Sequence, residues 1–545
     1  MIVLSTQSFK SKEEVLQELY QKTLVALDSE SSENGLLGFA IAWSPQDAVW
    51  FNADESDIPL QFLSSVPIIF HNCLWDVPIL QSRYNITVNI SADSMLAAQS
   101  CGYPPALGEL SVPFNFNHRY VTDLLYDAAG LKRKKDIPAA TKKKTRRVDM
   151  TLQDVPIQDV AAICCGHAQA TYKVWDTLKD EVPQAYTLDM ELIPLLMDMH
   201  TRGVRVNTKL AQERHEQLSK EIKYFRELCE GMGFNPASPK QIGLALSHSG
   251  FMTYFTKSGQ MVTDEEALRP LMNKTPIAPL VSRFRDKNQL DSHFIRPLCS
   301  VERIYPRYHI VRTGRFASSP NIQNIPEEQR DLYLPDEGEF FWDTDAHQIE
   351  PVLMAYFSGD KRMIVDVSTR DFYQPVANRY HIQRYTAKQL VLAGSYEGGA
   401  ETLVETSHRG GDNLSLDDAQ MLLTQYYSDY ERFKQWKDEV KRDAQNKGYV
   451  LTLLGRKRTL EDMAKEEESG YNPLLKAVNT IIQGSAADIL KLGMKRVMDR
   501  KVALTCHDEI VISTSAAISH DILHDICSIP IQWNIKTGQD WLNLH

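Results

Sequence analysis

No apolar run among the 545 residues approaches the ~20 needed to cross a bilayer, so a membrane span is not expected. The N-terminus, Met1-Ile-Val-Leu-Ser-Thr-Gln, lacks a basic stretch followed by a long apolar one, which argues against a secretory leader. Cysteine is scarce as well. There are 8, none in a Cys-x-x-Cys pair and only Cys164 and Cys165 adjacent. That pattern argues against a disulfide framework or a structural zinc site and points to a reducing cytoplasm. There is no excess of positive charge: 71 acidic residues outnumber 60 basic ones, for a net charge of −11. That balance argues against a protein that coats nucleic acid over its whole surface and does not exclude a local basic groove. Internal repeats are absent, and the one low-complexity feature is a basic run, Lys132-Arg-Lys-Lys135 and Lys142-Lys-Lys144-Thr-Arg146-Arg147. It reads either as a solvated loop or as an arm that tracks phosphates.

What is present is ordinary for a globular chain, 43% hydrophobic and 24% charged, and too long for one core, so several domains are expected. Up to about residue 185, short strands such as Leu24–Leu27 and Leu37–Trp43 alternate with helices, an α/β pattern. From about 186 to 300 the pattern is mainly helical, with a helix start at Ser238-Pro239. Strands return over 300–360. A helical block follows over 361–448, and the remainder mixes helices with a hairpin.

That hairpin carries the strongest chemical signal. Val502–Ser513 reads as two aliphatic strands around a polar tip, His507-Asp508-Glu509. Carboxylates at the end of a buried strand are costly without a cation or a basic partner. A second acidic strand end lies far upstream, Phe340-Phe-Trp-Asp343-Thr-Asp345, leading into Gln348-Ile-Glu350. Two distant strands pooling carboxylates suit two Mg²⁺ ions in phosphoryl or nucleotidyl transfer. Strand alternation puts Asp343 and Asp345 on one face, so geometry alone does not choose between them. On the intervening helix, Arg384, Lys388, Leu392 and Tyr396 recur at four-residue spacing and share a face, basic at one end and apolar at the other.

Asp345-Ala-His-Gln348-Ile-Glu350 resembles motif A of the family-A DNA polymerases, the hairpin tip resembles their motif C, and Arg384–Tyr396 resembles their motif B. Thr313-Gly-Arg315…Asn324-Ile-Pro326, Asn479…Gln483-Gly484…Asp488 and the ending Gly538–His545 match further family signatures. The resemblance spans roughly 190 to 545. It implies a DNA-templated DNA polymerase with Asp345 and Asp508 holding two Mg²⁺, Asp343 a bystander, and Glu509 a supporting member of the catalytic acids. Arg384, Lys388, Leu392, Tyr396, Gln348, Glu350 and His507 are implied to bind the incoming dNTP, Glu350 and Tyr396 as a gate against a 2′-hydroxyl. Arg315, Asn479 and Gln483, with His507, are implied to touch the primer–template. Departures from the pattern are Ala346-His347, Pro351-Val352, Leu392 at a usually aromatic position and Glu397 in place of glycine. They bear on nucleotide selectivity, and a modified base is a candidate substrate. Pro351 is tolerable only in a first helical turn.

Ahead of this region, Asp28-Ser-Glu30 and Asn72-Cys-Leu-Trp-Asp76 resemble the first two motifs of DnaQ-like 3′–5′ exonucleases, with Asp28, Glu30 and Asp76 as ligands of divalent ions. The family's later aspartate falls here on His167 or Ala168, depending on register, which leaves proofreading open. The expected architecture is multidomain α/β and α+β. An RNase H-like exonuclease domain (1–189) precedes a right-hand polymerase, with thumb at 190–300, palm at 301–360 and 450–545, and fingers at 361–449. No 5′-nuclease domain is expected ahead of it, which suits a phage-like replicative monomer in a bacterial cytoplasm, with a processivity factor as a candidate partner. The rivals are a single-subunit RNA polymerase and a catalytically silent DNA-binding scaffold.

Overall fold

The computed structural model describes residues 2–4, 11–55, 58–128, 151–251, 254–255, 261–396, 398–407, 411–465, 472–519 and 521–544. The basic run at 132–147 and Glu397 lie outside the described residues. Among the described residues, no helix is long and apolar enough to cross a membrane.

A six-stranded sheet organises the N-terminal part, in the order Ile2–Leu4, Ala48–Asn52, Gly35–Ala42, Val25–Ser32, Ile68–Phe70, Ile90–Asp93. The first four strands pair antiparallel, and the last two join in parallel. The helix Ile157–Leu178 lies across one face. Small side chains at the contact, Ala161, Cys164 and Ala168 against Ala26 and Ala40, let backbone approach backbone closely. The 25–32 strand extends past the short run expected at 24–27. Its hairpin partner 35–42 keeps it paired as far as Ser32, across a turn where Gly35 sits at φ 114. Asp28 and Glu30 therefore stand within the strand rather than at its end.

The central part is mainly helical, as expected. It contains Gln184–Arg202, Thr208–Gly231, Pro239–His248 and Ile277–Gln289. The Ser238 hydroxyl accepts from Gln241 N at 3.4 Å and Pro239 occupies the first turn, the start signal read in the sequence.

A second sheet has the order Val502–Cys506, Glu509–Thr514, Phe340–Ala346, Trp533–Gly538, antiparallel throughout. The helices from Ile349–Ser358 to Glu431–Lys447 are inserted between its first strand in sequence and the rest. This unit is thus discontinuous in sequence and continuous in space. Pro351 is the third residue of its helix, where no backbone N–H is required.

Candidate active site

The site begins with the register of the second sheet. Asp345 pairs with Glu509 across the 340–346 and 509–514 strands, and the Ala346 N–H donates to the Asp508 carbonyl at 3.2 Å. His507 and Asp508 form the tight tip, with His507 at φ 53. Asp345 and Asp508 therefore meet at one end of the sheet.

Electrostatics at this end call for a cation. Burial, then the Asp345 charge, pushes the Asp508 carboxyl up to about 7. Burial also raises Asp345, with His347 and Lys536 opposing. Burial, then Glu509 and Asp345, pushes Asp343 up to about 8, and its Oδ1 is buried with no hydrogen-bond partner among the described residues. Glu509 is already neutralised: Arg330 donates to both its oxygens, at 3.0 and 3.2 Å, while its guanidinium stacks 4.4 Å over Trp541. Among the described residues, no basic side chain is bonded to Asp343, Asp345 or Asp508; Asp345 and Asp508 are the two that meet at the turn, and all-oxygen donors suit a hard divalent cation.

Beside these acids lies a cavity of about 340 Å³ whose walls include Arg315, Gln348, Glu350, Lys388, Leu392 and His507, with Asp508 at its edge. Lys388 and Leu392 project from the helix Arg384–Tyr396, whose bounds match the expected face. Arg384 itself is turned to Asp371, Nε to Oδ2 at 2.5 Å, and stacks 5.6 Å over Tyr373. The Tyr396 hydroxyl donates to Glu350, and Arg315 Nη2 reaches the same carboxylate at 3.1 Å. Gln483 also hydrogen-bonds Tyr396, so the helix Pro473–Arg496 joins the group. Asn479, one turn earlier, keeps a buried Oδ1 without a partner among the described residues. Gln348 starts its helix at φ 50 and spends its amide on the neighbouring loop, accepting from Phe372 N at 2.6 Å and donating to Arg370 O at 3.1 Å. Burial and the Arg315 and Arg330 charges lower His507. Sequence reasoning missed Arg330, Asp371 and Tyr373. None carries a spacing signal, because each meets its partner only through tertiary packing.

The N-terminal acids gather separately. Asp28 and Glu30 share a face of the 25–32 strand, and His167 Nδ1 sits 3.6 Å from Asp28 Oδ2 and 3.9 Å from Glu30 Oε1. Ala168 is packed in the core behind the sheet, so His167 takes the position facing the acids. Asp76 lies against the same strand, but its Oδ1 accepts from Ser29 N at 3.2 Å and Ser29 Oγ at 2.5 Å. Burial and then Asp28 push Glu30 up to about 8, with His167 opposing. For His167, burial alone would lower the imidazole, but Asp28 and Glu30 outweigh it and hold it at about 9.

The model of DNA polymerase family A matches residues 204–543, more than half of the chain. DNA polymerase I of Caldicellulosiruptor bescii is 29% identical over 408 residues, covering 65% of this chain and 46% of that protein. DNA polymerase I of Chloroflexus aurantiacus is 22% identical over 604 residues, covering 97% and 62%. The thermostable DNA polymerase I of Thermus aquaticus is 26% identical over 399 residues, covering 65% and 48%. The chain thus spans between about half and three fifths of the length of these curated relatives, 46% to 62%. Among solved structures, the POL domain of Pol1 from M. smegmatis, in complex with DNA primer-template and dNTP, superposes with a TM-score of 0.72 at 21% identity. The match covers 98% of this chain and 99% of that one, so the two share a fold over nearly their whole lengths.

Proposed function

The chain belongs to DNA polymerase family A, and we propose that it extends a primer 3′-hydroxyl on a DNA template with deoxynucleoside triphosphates. The observation that carries this reading is the meeting of Asp345 and Asp508 at one sheet end, where the Ala346 N–H bonds the Asp508 carbonyl, beside a cavity with Lys388 on its wall. The domain reading is an exonuclease-like domain at 1–189, thumb at 190–300, palm at 301–360 and 450–545, and fingers at 361–449. Burial raises both Asp345 and Asp508, and the Asp345 charge raises Asp508 further, which fits a carboxylate pair suited to Mg²⁺. Two such ions, when bound, supply Lewis acidity toward the primer hydroxyl and the triphosphate.

The chain's own groups do the positioning. Lys388 presents an ammonium to the triphosphate. Arg384 joins it by exchanging its Asp371 partner for phosphate, a planar fork suited to either anion. Leu392 backs the base with an apolar surface. Glu350, held by Tyr396 and Arg315, occupies the space a 2′-hydroxyl needs. His507, Asn479 and Gln483 face the primer terminus and the minor groove of the new pair. Glu509, pinned by Arg330, fixes the turn that carries Asp508.

Primer extension with Mg²⁺ tests the reading. Asp345→Ala or Asp508→Ala is expected to lower extension by on the order of 10³-fold or more, while primer–template binding survives and weakens with rising salt. Full extension by either variant overturns the assignment. Ribonucleotide incorporation exceeding that of deoxyribonucleotides points to a single-subunit RNA polymerase instead, and binding without extension by the unaltered chain points to a DNA-binding scaffold.

A further inference from the structure

We propose that Asp28, Glu30, Cys164 and His167 form a closed, four-coordinate site for one zinc-class divalent cation that clamps the 157–178 helix to the 25–32 strand. This proposal stands independently of the polymerase reading.

Three observations carry it. The first is spacing. Cys164 Sγ lies 3.1 Å from Asp28 Oδ2, and His167 Nδ1 lies 3.6 Å from the same oxygen and 3.9 Å from Glu30 Oε1. Ligand atoms of Asp28, Glu30 and Cys164 all fall within 4.8 Å of one another. In a tetrahedral zinc centre with bonds of ~2.0–2.3 Å, neighbouring ligand atoms are ~3.3–3.8 Å apart. Asp28, Glu30 and Cys164 are thus already clustered, and His167, which is close to both carboxylates, completes the set by moving toward Cys164.

The second observation fixes the histidine. His167 Nε2 lies 3.0 Å from the Arg119 carbonyl, which can only accept, so Nε2 carries the hydrogen. Nδ1 then faces two carboxylates, so it carries a proton toward them or, on the present proposal, gives that proton up and turns its lone pair to a bound cation. A ligating histidine commonly has its other nitrogen tied in this way. His118 stacks on the ring at 4.9 Å and holds its plane.

The third is donor chemistry. One thiol and one imidazole beside two carboxylates favour a borderline-soft cation over Mg²⁺, which prefers six oxygens. Asp76, tied to Ser29, is left outside the set. Four protein donors leave no open position, so the site is structural rather than hydrolytic. Binding converts the Cys164 thiol to thiolate, and its proton leaves to solvent. The ligands come from a strand and a distant helix, which is why no Cys-x-x-Cys spacing announces them.

The test uses the whole chain, stripped with chelator and titrated with Co²⁺. The expected result is a thiolate-to-cobalt charge-transfer band in the near ultraviolet that saturates at one equivalent. Zn²⁺ is expected to displace the band and a large excess of Mg²⁺ is not. Cys164→Ser is expected to abolish it with an unchanged circular dichroism spectrum, and His167→Ala to weaken Co²⁺ binding on the order of 100-fold or more. A cation at Asp345 and Asp508 has no sulfur ligand and gives no such band, so failure here is separable from failure of the polymerase reading. Absence of the band in the unaltered chain, or its persistence in Cys164→Ser, overturns the proposal; in the first case a proton on His167 is the cation between the acids.

Discussion

Tyr396 donates its hydroxyl to Glu350, latching the end of the 384–396 helix to the first turn of the 349–358 helix beside the candidate nucleotide cavity. Arg315 reaches the same carboxylate from another direction, so Glu350 is held in place rather than free to swing aside.

A 2′-hydroxyl entering beside Glu350 would have to break a charge-assisted hydrogen bond or meet the carboxylate at too short a distance. Glu350→Ala is therefore expected to raise ribonucleotide insertion relative to deoxyribonucleotide insertion by roughly 10–100-fold. Tyr396→Phe keeps the ring and is expected to give a smaller rise. Single-nucleotide insertion kinetics measure both ratios. An unchanged ratio in Glu350→Ala would place the sugar gate elsewhere.

Asp343 makes the stability of the metal-free protein depend on pH. Its side chain is 4% exposed, and burial with the neighbouring acids pushes it up to about 8. The folded state thus holds this proton more tightly than the unfolded chain does. Stability on this account is fully present below the ordinary carboxyl range and falls as pH rises toward 8, the reverse of a salt-bridged aspartate. Asp343→Asn removes the titration. Between about pH 6 and about pH 8 the unaltered protein is expected to lose up to roughly 2 kcal/mol more than the variant. Chemical denaturation in chelator at the two pH values measures this, and parallel losses would refute it.

The comparison of these sites with the sequence separates two kinds of information. Periodic or local features were legible. The 384–396 helix spells out its face at four-residue spacing, Ser238-Pro239 marks a helix start, and two aliphatic runs around His507-Asp508 can fold back on each other with little else required. Features that depend on packing were not. His167 and Ala168 differ by one position on a helix, and only the docking of small residues onto the sheet decides which faces Asp28. The length of the 25–32 strand follows from its hairpin partner, not from its own alternation. Arg330 and Glu509 are far apart in the chain, and nothing in either segment announces their ion pair.

The N-terminal cluster predicts an outcome for mismatched primers. With His167 facing Asp28 and Glu30, and Asp76 committed to Ser29, the hard-cation set needed for hydrolysis is incomplete. In Mg²⁺ without nucleotides, the unaltered chain and Asp28→Ala are expected to degrade a mismatched 3′ end equally slowly. Faster degradation by the unaltered chain, lost on Asp28→Ala, would show an active nuclease there.

Stability should be most sensitive at Asp189. It is 0% exposed on the 184–202 helix, and it accepts from Arg456 Nη2 at 2.5 Å and Lys491 Nζ at 2.6 Å, both buried. Burial lowers Lys491, and Asp189 opposes that shift. Asp189 is the carboxylate both cations bond, with the buried Asp488 also facing them, and through it the 184–202 helix is joined to the 473–496 helix. Asp189→Ala removes the carboxylate both cations bond, leaving Asp488 to face the two of them, and is expected to cost about 3–5 kcal/mol, read from the urea midpoint. Asp443→Ala, which breaks an exposed pair with Lys447, is expected to leave the midpoint unchanged. Replacing Asp189, Arg456 and Lys491 together with Leu, Met and Met should recover part of the loss, because it removes both cations along with their partner while Asp488 keeps its bonds from Thr452 Oγ1 and Leu454 N. If the triple variant were as unstable as Asp189→Ala, lost packing rather than stranded charge would explain the cost.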